Sequence, residues 1–258
     1  MNFKNTFLKL TEYTVPYGNE PMLEKYMPKK YTKDGVGNYV VKNGRSSKTV
    51  FTCHMDTASY RLQKVNHVID GEYIKTDGSS ILGGDDKNGM TILLYMIEQG
   101  VPGTYYFFAG EEAGMAGAKK IIGANKKFFD KFDRMISIDR RGYNSVITRQ
   151  MGAQCCSNIF GTALADELNR NGMHYRLDPT GIYTDSASFI GIIPNVTNLS
   201  CGYFDEHSTM ETTNIDFVEE LGHALCGVNW ENLPLEGPPK KTFGYGYGDF
   251  EDSSEFWW

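Results

Sequence analysis

The sequence is short of cysteine, of net charge and of long apolar runs, and each shortage excludes something. Five cysteines occur in 258 residues (Cys53, Cys155, Cys156, Cys201 and Cys226), and no two of them form a CxxC pair. An odd count without that spacing argues against a cysteine zinc site, a dithiol redox motif or a disulfide-stapled secreted scaffold. The five read as small apolar core residues. No apolar stretch approaches the ~20 residues that cross a bilayer as a helix. The opening MNFKNTFLKLTEYT alternates polar and apolar residues and lacks the apolar core of a signal peptide, so the expected setting is cytoplasmic. Lys and Arg number 26 against 32 Asp and Glu, for a net charge of −6. That balance lacks the basic footprint that a phosphate backbone demands, so nucleic acid is not an expected partner. There is no Walker or dinucleotide-binding glycine pattern. Ser186 and Ser188 are not set in a nucleophile elbow, which argues against a serine triad. No internal repeat is evident.

What is present is a foldable chain, 40% hydrophobic and 13% aromatic, long enough for a sizeable core. Helices are expected over 5–14, 20–27, 89–98, 114–122, 158–169 and 215–228. Strands are expected over 49–53, 104–108, 134–138, 145–148 and 195–200, with a hairpin arm over 70–76. Alternating strands and helices predict a three-layer α/β/α sandwich with a mixed, mostly parallel central sheet. Residues 1–230 read as one domain. Residues 231–258 read as a Pro-rich linker followed by an acidic, aromatic, flexible tail, TFGYGYGDFEDSSEFWW, suited to a protein partner or to docking back on the chain itself.

Five short motifs fall where strands should end: CHMD (His54, Asp56), LGGDDKNG (Asp85, Asp86), FFAGEEAG (Glu111, Glu112), SIDRRG (Asp139) and DEHSTMET (His207). Open α/β sheets place their sites at strand C-termini. Two imidazoles and three carboxylates suit zinc or a similar divalent ion. Five ligands with one shared carboxylate fill two sites ~3.5–4 Å apart that can hold a hydroxide between them. Each motif alone is weak, since GDD is commonly a turn and EE a solvated pair; their joint order is specific. His67, His174 and His223 have no spaced ligand partner and read as surface or core residues. Tyr183 and Tyr203 are candidates for polarising a carbonyl, two among 16 tyrosines.

This series of motifs resembles the co-catalytic dizinc exopeptidases of zinc peptidase clan MH, which include leucyl aminopeptidase, tripeptidase and glutamyl aminopeptidase types. The stretch ILGGDDKNGM is similar to the tripeptidase form, and the likeness covers roughly residues 50–213. The resemblance implies two divalent ions, zinc in the first instance with cobalt or manganese as alternatives, and small peptides as substrates. It implies that Asp85 bridges the ions, that His54 and Asp139 complete one site, and that Glu112 and His207 complete the other. Glu111 would be the general base and Asp56 the partner that orients His54. The Asp85–Asp86 peptide would be cis, and Asp185, in a TDS motif, would lie near the site. Only 30 residues separate His54 from Asp85 and 67 separate Asp139 from His207, which leaves room for neither an inserted domain nor a lid. A metallo-exopeptidase, first of all an aminopeptidase, is therefore expected. A carboxypeptidase, dipeptidase or deacylase on the same site, or a non-catalytic binding protein using the tail, are the alternatives. Arg140 and Arg141 follow no pattern of the family; one of them is a candidate for holding a substrate carboxylate, with ordinary ion pairs as the alternative.

Overall fold

A computed structural model describes residues 1–235; the acidic, aromatic tail lies outside the described residues. The strands are β1 (Thr32–Lys33), β2 (Tyr39–Asn43), β3 (Thr49–His54), β4 (His67–Asp70), β5 (Tyr73–Thr76), β6 (Gly103–Phe108), β7 (Arg134–Arg140), β8 (Ser145–Ile147), β9 (Arg149–Gln150), β10 (Ala153–Gln154), β11 (Arg176–Asp178), β12 (Asn195–Ser200), β13 (Tyr203–Phe204) and β14 (Thr212–Asn214). The α-helices are α1 (Phe3–Leu10), α2 (Gly84–Glu98), α3 (Ala116–Asn125), α4 (Asn158–Arg170) and α5 (Ile215–Gly227).

The main sheet has eight strands in the order β1-β2-β6-β3-β7-β12-β8-β11. Its centre, β6-β3-β7-β12, is wholly parallel, while β1, β2 and the β12–β8 pairing are antiparallel. Strands buried on both faces must be apolar on both, and the period of two then sorts side chains into two layers. On β3 and β6, Phe51, Cys53, Tyr105 and Phe107 join the cluster under α1, α2, α4 and α5. Their neighbours Val50, Tyr106 and Phe108 join the cluster under α3 and the 3-10 turn Asp185–Phe189. The three expected layers are present. Four of the five unpaired thiols are buried and Cys226 is half-buried.

Several boundaries differ from the sequence expectation for local reasons. Asn2 accepts the amide of Asn5 at 2.8 Å, so α1 starts at Phe3, with Phe3, Phe7 and Leu10 facing the core. It stops by Thr11, because the chain then runs extended and Tyr13 bridges to Lys64. Residues 20–26 form a 3-10 rather than an α-helix, with Pro21 near its start. Helix α3 begins later than expected because Gly114 and Met115 both have positive φ, 80° and 61°. Helix α2 begins earlier, but Asp85 and Asp86 within it have non-helical backbones. A separate four-stranded sheet, β13-β14-β5-β4, was legible only as one hairpin arm. Packing continues past Trp230 to Leu233, which is buried in the core. Among the described residues no helix is long and apolar enough to cross a membrane.

Candidate metal centre

The parallel register of β6, β3 and β7 brings three motif-bearing strand ends to one edge of the sheet. His54 is the last residue of β3, Asp139 the penultimate residue of β7, and Glu111-Glu112 occupy the turn just after β6. Asp85 lies at the irregular start of α2, whose Asp85–Asp86 peptide is cis. His207, with a φ of 60°, sits in the loop from β13 to β14.

Asp85 stands between the two imidazoles. Its Oδ1 lies 2.9 Å from His54 Nε2 and its Oδ2 3.2 Å from His207 Nε2. Asp139 Oδ1 is 3.7 Å from His54 Nε2, and Glu112 Oε1 is 3.0 Å from His207 Nε2. Donor atoms of His54, Asp85 and Asp139 lie within 4.8 Å of one another, as do those of Asp85, Glu112 and His207. Asp85 belongs to both trios. A third trio, His54, Glu111 and Glu112, meets the same criterion.

The residues behind this cluster hold it by hydrogen bonds. His54 Nδ1 lies 3.1 Å from the main-chain carbonyl of Asp56 and 3.5 Å from its carboxylate. A proton on Nδ1 leaves Nε2 as the donor atom facing Asp85. The Asp56 carboxylate itself accepts the amides of Glu111 and Glu112, at 3.0 and 3.1 Å. Asp86 accepts the His54 and Gly89 amides. Thr184 donates to Asp139 Oδ2 at 2.5 Å, and Tyr203 donates to Oδ1 at 3.4 Å. Buried Lys87 donates to the Asp56 carbonyl at 3.1 Å.

Sequence reasoning did not single out Lys87, Thr184 or Glu211. Glu211 is fully buried and accepts the amides of Gly83 and Asp85 at 2.7 and 2.8 Å. It lies inside the quoted DEHSTMET motif, yet a single Glu four residues after a His has no distinguishing spacing.

The charges are unbalanced in a way that calls for a cation. Burial draws the His54 imidazole down, but Asp139, Asp56 and Asp85 together hold it well above its usual value. Hydrogen bonds to Asp85 and Glu112 raise His207 to about 11. Burial pushes Asp139 well up, with Asp86 adding to it. Burial would also raise Asp85, but His207 and His54 hold it below the usual carboxylate range. Glu112 Oε1 is buried beside His207 Nε2, at 3.0 Å. Both imidazoles are thus driven to keep protons by the carboxylates around them, a demand that a metal ion held by such a trio would also satisfy. Burial pushes Glu111 up to about 7, with Asp85 and Glu112 adding and His54 opposing.

The remaining candidates separate clearly. His67 bonds Thr11, and His223 packs on Phe3 and Tyr95; neither belongs to a candidate trio among the described residues. His174 lines a different surface groove. Tyr183 and Tyr203 line the cleft over the cluster, as do Arg140 and Arg141. Asp185 is buried, and its Oδ1 has no hydrogen-bond partner among the described residues.

The layered sheet is a fold shared with solved peptidase structures. Aminopeptidase PepT of Bacillus cereus superposes with a TM-score of 0.72 at 16% identity, over 89% of this chain and 97% of that one. A tripeptidase of Staphylococcus aureus gives 0.70 at 18% identity, over 89% and 97%. The TET1 peptidase of Pyrococcus horikoshii gives 0.64 at 17% identity, over 87% and 99%. At these identities the likeness is one of fold. In sequence, the chain is 38% identical over 140 residues to the uncharacterized protein YqjE of Bacillus subtilis, covering 50% of this chain and 37% of that protein. The match therefore spans little more than a third of that relative's length. No family model matches the chain.

Proposed function

We propose that this protein is a metallopeptidase that hydrolyses peptide bonds at a pair of divalent ions, and that it acts as an aminopeptidase. The observation that carries this reading is the position of Asp85, whose two oxygens face His54 and His207. The likeness of fold to an aminopeptidase and a tripeptidase supports the peptide substrate. In this reading His54 and Asp139 hold one ion, Glu112 and His207 hold the other, and Asp85 is shared. Zinc fits the mixed imidazole and carboxylate donors, and cobalt or manganese fit them less specifically. When bound, such a pair lowers the pKa of water and polarises a carbonyl.

The chain's own residues supply the rest. Glu111 carries a carboxyl raised to about 7 by burial, suited to take a proton from water near neutrality and return it to the leaving amine. Asp56 fixes Glu111 and Glu112 through their adjacent amides. Thr184 and Tyr203 hold the two oxygens of Asp139, and Asp56 holds the tautomer of His54. Fixing ligands in this way reduces the reorganisation that catalysis requires.

Metal quantification of purified protein, alongside digestion of a peptide library, tests the proposal. The expected result is two ions per chain and release of N-terminal residues. D85A should lose both ions. Retention of both by D85A, or no cleavage by fully loaded protein, removes the proposal.

A further inference from the structure

The cleft over the candidate metal centre contains two cations whose circumstances differ. Arg140 is largely buried, reaches Thr180 at 3.3 Å and 3.4 Å, and faces Asp178 at 3.9 Å. It is a fixed part of the wall. Arg141 has a side chain 59% exposed, and among the described residues its one ion-pair partner is Glu206, at 3.4 Å. An exposed pair of that length contributes little to stability, so it does not account for a guanidinium in a cleft that already holds Asp85, Glu111 and Asp139.

The position of that pair is informative. Arg141 is two residues beyond Asp139, and Glu206 immediately precedes His207. Arg141 lines the same cleft as Asp85, Asp139 and His207. On the same cleft wall, Gln150 is 2% exposed, spends its amide N–H on Ser186 at 3.3 Å, and leaves Oε1 buried with no donor among the described residues. A buried acceptor without a partner is destabilising unless something supplies an N–H. Asn198, which also lines the cleft, is already satisfied by the Asp139 main chain on both sides of its amide.

We infer that Arg141 and Gln150 form a substrate subsite that selects peptides bearing a carboxylate close to the scissile bond. Arg141 takes the carboxylate through its planar fork, which a lysine cannot reproduce. Gln150 Oε1 accepts a peptide N–H of the same substrate. The carboxylate has two sources, the C-terminus of a dipeptide or tripeptide and the side chain of an acidic residue. This inference rests on the peptidase reading above and adds the class of peptide.

The test compares kcat/KM on matched pairs, using metal-loaded full-length protein. Ala-Ala against Ala-Ala amide probes the terminal carboxylate, and Glu-Ala amide against Gln-Ala amide probes the side chain. Wild type should favour the charged member of one pair about tenfold or more, the scale of a charge-assisted hydrogen bond. R141Q should bring that ratio close to one, mainly through KM, and R141K should fall between. The pair that responds identifies the source. A wild type that cleaves peptides with the same charged-to-neutral ratio as R141Q overturns the subsite and leaves the peptidase reading standing. A wild type that cleaves no member of either pair or of the peptide library overturns both.

Discussion

Glu211 Oε1 accepts the backbone amide of Asp85 at 2.8 Å, across 126 positions of sequence, and its Oε2 takes the amide of Gly83 at 2.7 Å. One buried carboxylate thus sets the path of the loop that delivers the central carboxylate of the cluster. E211A strands two buried N–H groups at ~1–3 kcal/mol each. The expected outcome is a fall in Tm of several degrees and weaker binding of both ions, read by thermal denaturation and metal titration. E211Q, which keeps one acceptor, should fall between.

Glu111 and Glu112 are neighbours with different assigned tasks, and substitution should separate them. E111A is expected to keep two ions and lose ~10²–10⁴-fold in kcat. E112A is expected to keep one ion. Metal content and turnover measured on the same samples check the pair, and near-wild-type turnover in E111A would refute the base assignment.

Asp56 presents two acceptor oxygens to two amides, those of Glu111 and Glu112. Asparagine at this position turns one acceptor into an N–H donor that faces an N–H. D56N should therefore reduce kcat more than it reduces metal content. A crystal structure of D56N should show the Glu111-Glu112 turn displaced, with His54 still opposite Asp85.

Glu20 is buried, accepts the Gly18 amide at 2.7 Å and, among the described residues, leaves Oε1 without a partner. Burial raises its carboxyl above the ordinary 4.5. The folded state then holds this proton more tightly than the unfolded state does. Stability contributed at this position rises as pH falls from above the folded value toward about 4.5. Urea denaturation of wild type against E20Q should show wild type gaining relative stability across that window. A pH-independent difference between the two contradicts the assignment.

Gly89 follows the DDKN run, where a Cβ would lie 2.1 Å from the Ile138 carbonyl oxygen and 2.6 Å from Asp86 Oδ1. The first neighbour is backbone and cannot swing aside. G89A is expected to lower Tm and metal affinity together, measured as for Glu211. Unchanged values would mean that α2 shifts freely against β7.

Much of this architecture is legible in the sequence because apolar runs such as TYYFF and RMISI announce strands buried on both faces. His54, Asp85, Glu111, Glu112, Asp139 and His207 were legible as a group, since each stands in a short distinctive motif at a strand or loop boundary. The roles of Glu211 and of the Asp56 carboxylate were not legible. Their partners are backbone amides, and an amide carries no residue identity for a motif to record. The β13-β14-β5-β4 sheet escaped for a different reason. Strands of two to four residues are too short to display a period. The start of α2 was obscured because Asp85 and Asp86 depart from helical geometry inside a helical segment.

The spread of the cluster along the chain also bears on how the protein is made. His54, Asp85, Glu112 and Asp139 are all synthesised before α4, whereas His207 and Glu211 arrive only with the β13–β14 loop. A growing chain therefore carries four of the five donor side chains well before the last one that closes the set, and before the carboxylate that fixes the Asp85 loop. The complete cluster is thus a late product of translation. A ribosome paused ahead of residue 207 would expose the four earlier side chains with no second imidazole to close the set.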